Sequence, residues 1–194
     1  MISILLTLFT FILTTTMAFA EFFQDISSII KNNKERLSYG ISVTDFDKDG
    51  QFEFVVTGFR HPNLALSYKK GYLEDVNIDA IFSDDKRSTI GVATCDIDND
   101  GFEELYFLNT DTYSGQKQYS DRLLDNENTI IDLFQIEKNL KSLNLTAGRS
   151  VVCVDRNGLG SYGFYVANYG GPTRYYELIN NQIIDKAPIL NIDK

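Results

Sequence analysis

The sequence predicts an all-β fold made of four-stranded antiparallel units, the blades of a β-propeller. Three observations carry that expectation. The acidic stretch Asp45-Phe46-Asp47-Lys48-Asp49-Gly50-Gln51-Phe52-Glu53 returns 51 residues later as Asp96-Ile97-Asp98-Asn99-Asp100-Gly101-Phe102-Glu103-Glu104. Both copies lie between β-branched and aromatic runs: Ser42-Val43-Thr44 and Phe54-Val55-Val56 around the first, Val92-Ala93-Thr94-Cys95 and Leu105-Tyr106-Phe107 around the second. Such residues suit a pleated, half-buried surface. Turn residues then divide the rest into short strands in sets of four, a spacing that fits one blade per repeat.

Composition agrees. The chain has 194 residues, 43% of them hydrophobic, enough for one domain with a substantial core. It has 14 Phe and 11 Tyr against 3 Pro, which suits β structure and not disorder. A net charge of −9 argues against a nucleic-acid partner.

Residues 1–20 are apolar with a threonine run and end in Ala18-Phe19-Ala20. They read as a secretory signal peptide cleaved after Ala20. The apolar stretch is short and interrupted for a stable membrane span. The expected location is therefore secreted, extracellular. Residues 21–36 carry Phe22, Ile26, Ile29 and Ile30 at near-helical spacing, with Asp25 and Ser27 as start signals, and predict a short amphipathic helix.

The propeller segment spans 37–194, with blades at about 37–80, 88–135 and 147–188. In the first, strands are expected at 39–44, 52–59, 64–68 and 72–78. In the second they are expected at 90–95, 102–109, 121–125 and 129–134, followed by a helical turn or two at 136–143. In the third they are expected at 149–154, 162–168, 174–179 and 182–185. Small residues on the first strand of each set, Gly40, Ser42 and Thr44, then Gly91, Ala93 and Cys95, suit the place where blades converge on an axis.

The acidic loops carry the chemistry. Ca²⁺ takes about 6–8 oxygens at roughly 2.3–2.6 Å. Acids at positions 1, 3 and 5 of a tight turn converge on one point. Glycine at position 6 adopts a backbone angle that a side chain disfavours. The carbonyl of position 7 and the acid at position 9 complete the shell. The candidate ligands are Asp45, Asp47, Asp49, Gln51 and Glu53, and Asp96, Asp98, Asp100, Phe102 and Glu104, giving two Ca²⁺ sites. An EF-hand opens the same way but needs an acid at position 12 and flanking helices. Position 12 here is Val56 or Phe107, so each loop joins two strands. The third loop, Asp155-Arg156-Asn157-Gly158-Leu159-Gly160, has too few acids for Ca²⁺ and is expected to be a metal-free turn.

These residues resemble the FG-GAP/VCBS repeats found in integrin α-subunit heads. The nearer likeness is to the cartilage acidic protein branch and its bacterial relatives, secreted proteins that also carry an ASPIC/UnbV domain. It is carried by 36–40, 43–45, 52–53, 90–92, 95–98, 103–110 and 147–156, and covers about 33–180. The resemblance implies an incomplete propeller of the seven-bladed type, structural calcium, an extracellular recognition, adhesion or matrix role, and no known catalysis. Three blades do not close a propeller, since about four to eight are needed. The expectation is a fragment of a longer chain, with self-association as the alternative.

Other features are less specific. Cys95 and Cys153 lie on opposite faces of adjacent inner strands by parity, so they are candidates for a disulfide across the blade interface; two buried thiols are the other reading. Asn144-Leu145-Thr146 is a candidate glycosylation sequon. His61 has no catalytic partner, and Arg149 is expected to pair with a carboxylate. Tyr113, Tyr119, Tyr169, Tyr175 and Tyr176 either fill space between blades or form a sugar- or protein-binding surface. The partner class is an extracellular protein or glycan. A carbohydrate-active or other propeller enzyme, or a non-functional fragment, stands as the alternative, and no spare carboxylate pair supports the enzyme.

Overall fold

A computed structural model describes residues 23–76 and 78–193. The proposed signal peptide lies outside the described residues. Twelve strands among them form three four-stranded antiparallel sheets, each in sequential order. The first holds β1 (Ile41–Thr44), β2 (Glu53–Val56), β3 (Leu64–Lys69) and β4 (Tyr72–Asp75). The second holds β5 (Thr89–Cys95), β6 (Glu104–Asn109), β7 (Arg122–Asn126) and β8 (Ile130–Asp132). The third holds β9 (Gly148–Val154), β10 (Gly163–Asn168), β11 (Arg174–Ile179) and β12 (Gln182–Asp185). A short helix α1 (Ala80–Ser83) links the first two sheets, and α2 (Ala187–Leu190) follows the third.

The sheets are blades of a partial, unclosed propeller. β1 packs beside β5, and β5 beside β9. The backbones come close where small residues stand: a Cβ on Gly40 would lie 2.9 Å from Gly91 Cα. Successive side chains on a strand point to opposite faces, so the second sheet feeds two cores. Val92, Leu105, Phe107 and Leu124 pack with Val55, Ala65 and Phe82 towards the first sheet. Ala93, Cys95, Tyr106, Leu108 and Leu123 pack with Phe164, Val166 and Tyr176 towards the third. A disulfide joins Cys95 of β5 to Cys153 of β9, whose Cα atoms are 5.5 Å apart.

A buried polar network pins this second interface. Asp121, fully buried, accepts from Tyr106 Oη at 2.8 Å, the Asn109 N–H at 2.7 Å and Asn144 Nδ2 at 2.6 Å, and pairs with Lys117 Nζ. Lys117 Nζ also donates to the Asn109 carbonyl at 2.8 Å.

Two expectations need correction. Residues 23–36 contain a single 3₁₀ turn at Ser27–Ile29, with no residue of it buried, and then an isolated bridge from Ile30 to Leu73 on β4. With no core beneath it, the segment lacks the packing that stabilises a short helix. Asn144 is fully buried, and its amide donates to Asp121 and to Asn168 Oδ1 at 3.0 Å. A glycan on that nitrogen would displace both contacts and has no space, so the folded chain does not present this sequon.

Candidate metal centre

The two acidic loops join β1 to β2 and β5 to β6. The cross-strand register at their base is the same, Thr44 opposite Glu53 and Cys95 opposite Glu104. Each loop turns on a left-handed residue at position 4, Lys48 (φ 60°) or Asn99 (φ 63°), and on the glycine at position 6, Gly50 (φ 87°) or Gly101 (φ 93°). The aspartate at position 1 closes the turn, Asp45 Oδ2 accepting from the Gly50 N–H at 2.9 Å and Asp96 Oδ2 from the Gly101 N–H at 3.1 Å. The apolar residue at position 2, Phe46 or Ile97, is buried beneath the loop. Its N–H donates to the glutamate at position 9, Glu53 Oε2 at 3.2 Å and Glu104 Oε2 at 2.8 Å.

The carboxylates converge. Ligand atoms of Asp45, Asp47 and Glu53 lie within 4.8 Å of one another, as do those of Asp96, Asp98 and Glu104. Three of these residues keep a buried oxygen without a hydrogen-bond partner: Asp45 Oδ1, Glu53 Oε1 and Asp96 Oδ1. A buried carboxylate oxygen left unpaired is costly unless a cation meets it. The donor set is all oxygen, which suits a hard divalent ion. Each triad could therefore hold a metal ion.

Asp49 and Asp100 stand outside the triads. Their Oδ1 atoms accept the N–H of Gln51 and of Phe102, each at 2.8 Å, and so shape the turn. Gln51 and Phe102 thus contribute their amide groups to the loop.

Electrostatics reflect the crowding. Burial, then repulsion from Asp47, pushes the Glu53 carboxyl up to about 7. Burial above all pushes Glu104 up to about 8, with Asp98 and Asp125 adding repulsion. Asp98 is also raised, first by burial and then by its acidic neighbours.

The third loop satisfies itself. Asp155 takes the Leu159 N–H at 3.1 Å and the Gly160 N–H at 2.8 Å on its two oxygens, and these bonds hold its carboxyl below the usual range. Position 9 is Gly163, so no carboxylate returns to the loop.

Some contacts at and around the loops were not visible in the spacing. Lys48 Nζ lies over the Phe102 ring, 3.9 Å from its centroid, and 3.9 Å from Asp100 Oδ2. Asn126 Nδ2 donates to the Phe46 carbonyl at 2.6 Å, tying the first loop to the second sheet. Arg149 stacks against Tyr113 and Tyr169, 5.5 and 5.3 Å from their centroids, and pairs with backbone carbonyls in place of the expected carboxylate. Tyr175 and Tyr176 are buried, and Tyr119 lies under the Arg87 guanidinium.

This geometry has relatives. Residues 37–107 match the FG-GAP-like repeat. The chain is 46% identical, over 76% of its length, to cartilage acidic protein 1 of Xenopus tropicalis. It is 42% identical over the same share to the proteins of that name from Homo sapiens and Mus musculus. It spans about 25% of the length of each of these curated relatives. Among the described residues, no helix is long and apolar enough to cross a membrane.

Proposed function

We propose that the chain is a secreted, calcium-stabilised recognition or matrix module, with one structural Ca²⁺ in each acidic loop. The observation that carries this reading is the set of buried, unpaired oxygens on Asp45, Glu53 and Asp96, each on a carboxylate whose other oxygen accepts a backbone N–H. A cation at each triad would offset the mutual repulsion of the acids and lock the hairpins that begin the first two blades. The disulfide fits an oxidising compartment, and the name of the cartilage relatives supports an extracellular setting. The role proposed is binding, without catalysis.

Thermal unfolding with calcium and with chelator tests this. Calcium at a hundredfold excess over the dissociation constant stabilises by about 2.7 kcal/mol per site. Asp47→Ala and Asp98→Ala are each expected to remove one loop's share of that gain. Identical melting curves with and without chelator would exclude the reading.

A further inference from the structure

The three blades carry different residues at one position of their third strands, beside the loops. In the first blade Glu53, the acid at loop position 9, pairs across β2 and β3 with Ser67. In the second, Leu105 pairs with Leu124 across β6 and β7, so the next pair towards the loop is Glu104 and Asp125. In the third, Phe164 pairs with Tyr176, and the next pair is Gly163 and Glu177. Residues directly opposite on antiparallel strands share a face, their Cβ atoms about 4.5–5.5 Å apart. Ser67, Asp125 and Glu177 therefore stand at the same place relative to their loops. Their surroundings differ. Glu177 meets a cation from its own loop: Arg156, at position 2, donates from Nε and Nη2 to Oε1 at 3.2 and 3.1 Å. Asp125 is only 9% exposed and, among the described residues, makes no hydrogen bond or ion pair. Burial, and then Asp98, hold its carboxyl above the usual range against a smaller pull from Lys48, and Asp125 in turn repels Glu104. A buried carboxylate without a partner is costly unless a cation meets it. Ser67, fully buried with its Oγ unpartnered, brings no charge to the first loop.

We infer that Asp125 is a further residue of the second metal site, acting on the ion by its charge from just outside the triad of Asp96, Asp98 and Glu104, and that the first site lacks this contribution. The inference rests on the calcium reading above. The third blade gives the precedent: an acid at this position faces the cation its loop supplies. There the loop supplies Arg156; in the second blade position 2 is the buried, apolar Ile97, and a bound ion takes the cation's place. Asp125 lies on β7 and is buried by the second blade itself, so its setting belongs to this chain alone. It is a positioning residue, fixed by strand register, that biases the loop towards a cation.

The test measures each site alone in the full chain at pH 8, the second in an Asp45→Asn background and the first in an Asp96→Asn background, by titration with Ca²⁺ and with Tb³⁺. Adding Asp125→Asn is expected to weaken Ca²⁺ binding at the second site roughly tenfold and to leave the first site unchanged. Attraction to a fixed charge grows with the charge of the ion, so a tenfold loss for Ca²⁺ should become about thirtyfold for Tb³⁺. A loss that came from disturbed packing would be the same for both ions and would overturn the inference. Asp125→Ser, which installs the residue of the first blade, decides the matter if the asparagine variant misfolds, as read by circular dichroism. A second site unmoved by either substitution would overturn the inference and leave the calcium reading standing. A wild-type chain that binds neither ion would overturn both.

Discussion

Lys48 of the first acidic loop caps the ring of Phe102 in the second, its ammonium 3.9 Å from the ring centroid. The same ammonium is 3.9 Å from Asp100. It therefore offsets charge in the second loop when no cation is there and opposes a cation that enters. Lys48→Met is expected to lower stability in chelator by up to about 1 kcal/mol, as an exposed ion pair permits. In calcium the sign reverses: affinity of the second loop should rise roughly three- to tenfold. Calcium titrations of wild type and variant check both directions.

The two raised glutamates set a pH dependence. Glu53 and Glu104 ionise at about 7 and about 8 in the folded chain, against an ordinary value of 4.5. Between those values the folded state binds more protons than the unfolded state, so metal-free stability falls as pH rises from about 4.5 to about 8. Calcium binds the ionised form, so its stabilising increment should grow across the same window. Urea unfolding at pH 5, 6.5 and 8, each with calcium and with chelator, is the measurement. A flat metal-free profile would contradict the assignment of buried, crowded carboxyls.

The Cys95–Cys153 bond closes a loop of 58 residues across the second blade interface. In the chain-entropy model this contributes roughly 4 kcal/mol. Cys95→Ser with Cys153→Ser is expected to lower the unfolding free energy by about that amount, and to lower calcium affinity little, because neither cysteine is in a triad.

Asp121 and Lys117 form a fully buried pair beneath the same interface. Asp121→Asn leaves the Lys117 charge unpaired and should cost about 3–5 kcal/mol. Adding Lys117→Met should recover a large part of that loss in urea unfolding. The network also accounts for Asn144: mass spectrometry of chain secreted from a glycosylating host should find that asparagine unmodified.

Much of this architecture could be read from residue order. The repeat of Asp45–Glu53 at Asp96–Glu104, with β-forming flanks, anticipated the hairpins and the four-stranded sheets. Strand parity brought Cys95 and Cys153 to facing sides of their blades. Long-range burial was less legible. Asn144 has the local pattern of a surface sequon, and only the packing of the third sheet against the second buries it. Asp49 and Asp100 look equivalent to their neighbours at alternate positions and, like them, accept a backbone N–H, yet they stand outside the triads, a matter of position in space that residue order does not encode. Arg149 finds tyrosines from two connections distant in sequence, which no local spacing encodes. Residues 23–36 have helical periodicity but no apolar surface beneath them on which to fold as a helix.

The central claim is that each triad binds one cation, and calorimetric titration of metal-free full-length chain with calcium tests it most directly. The account predicts two ions per chain at pH 8, falling to one in Asp45→Asn, with the remaining site lost when Asp96→Asn is added. Absence of binding heat in the wild type, or a stoichiometry that neither substitution changes, would contradict it.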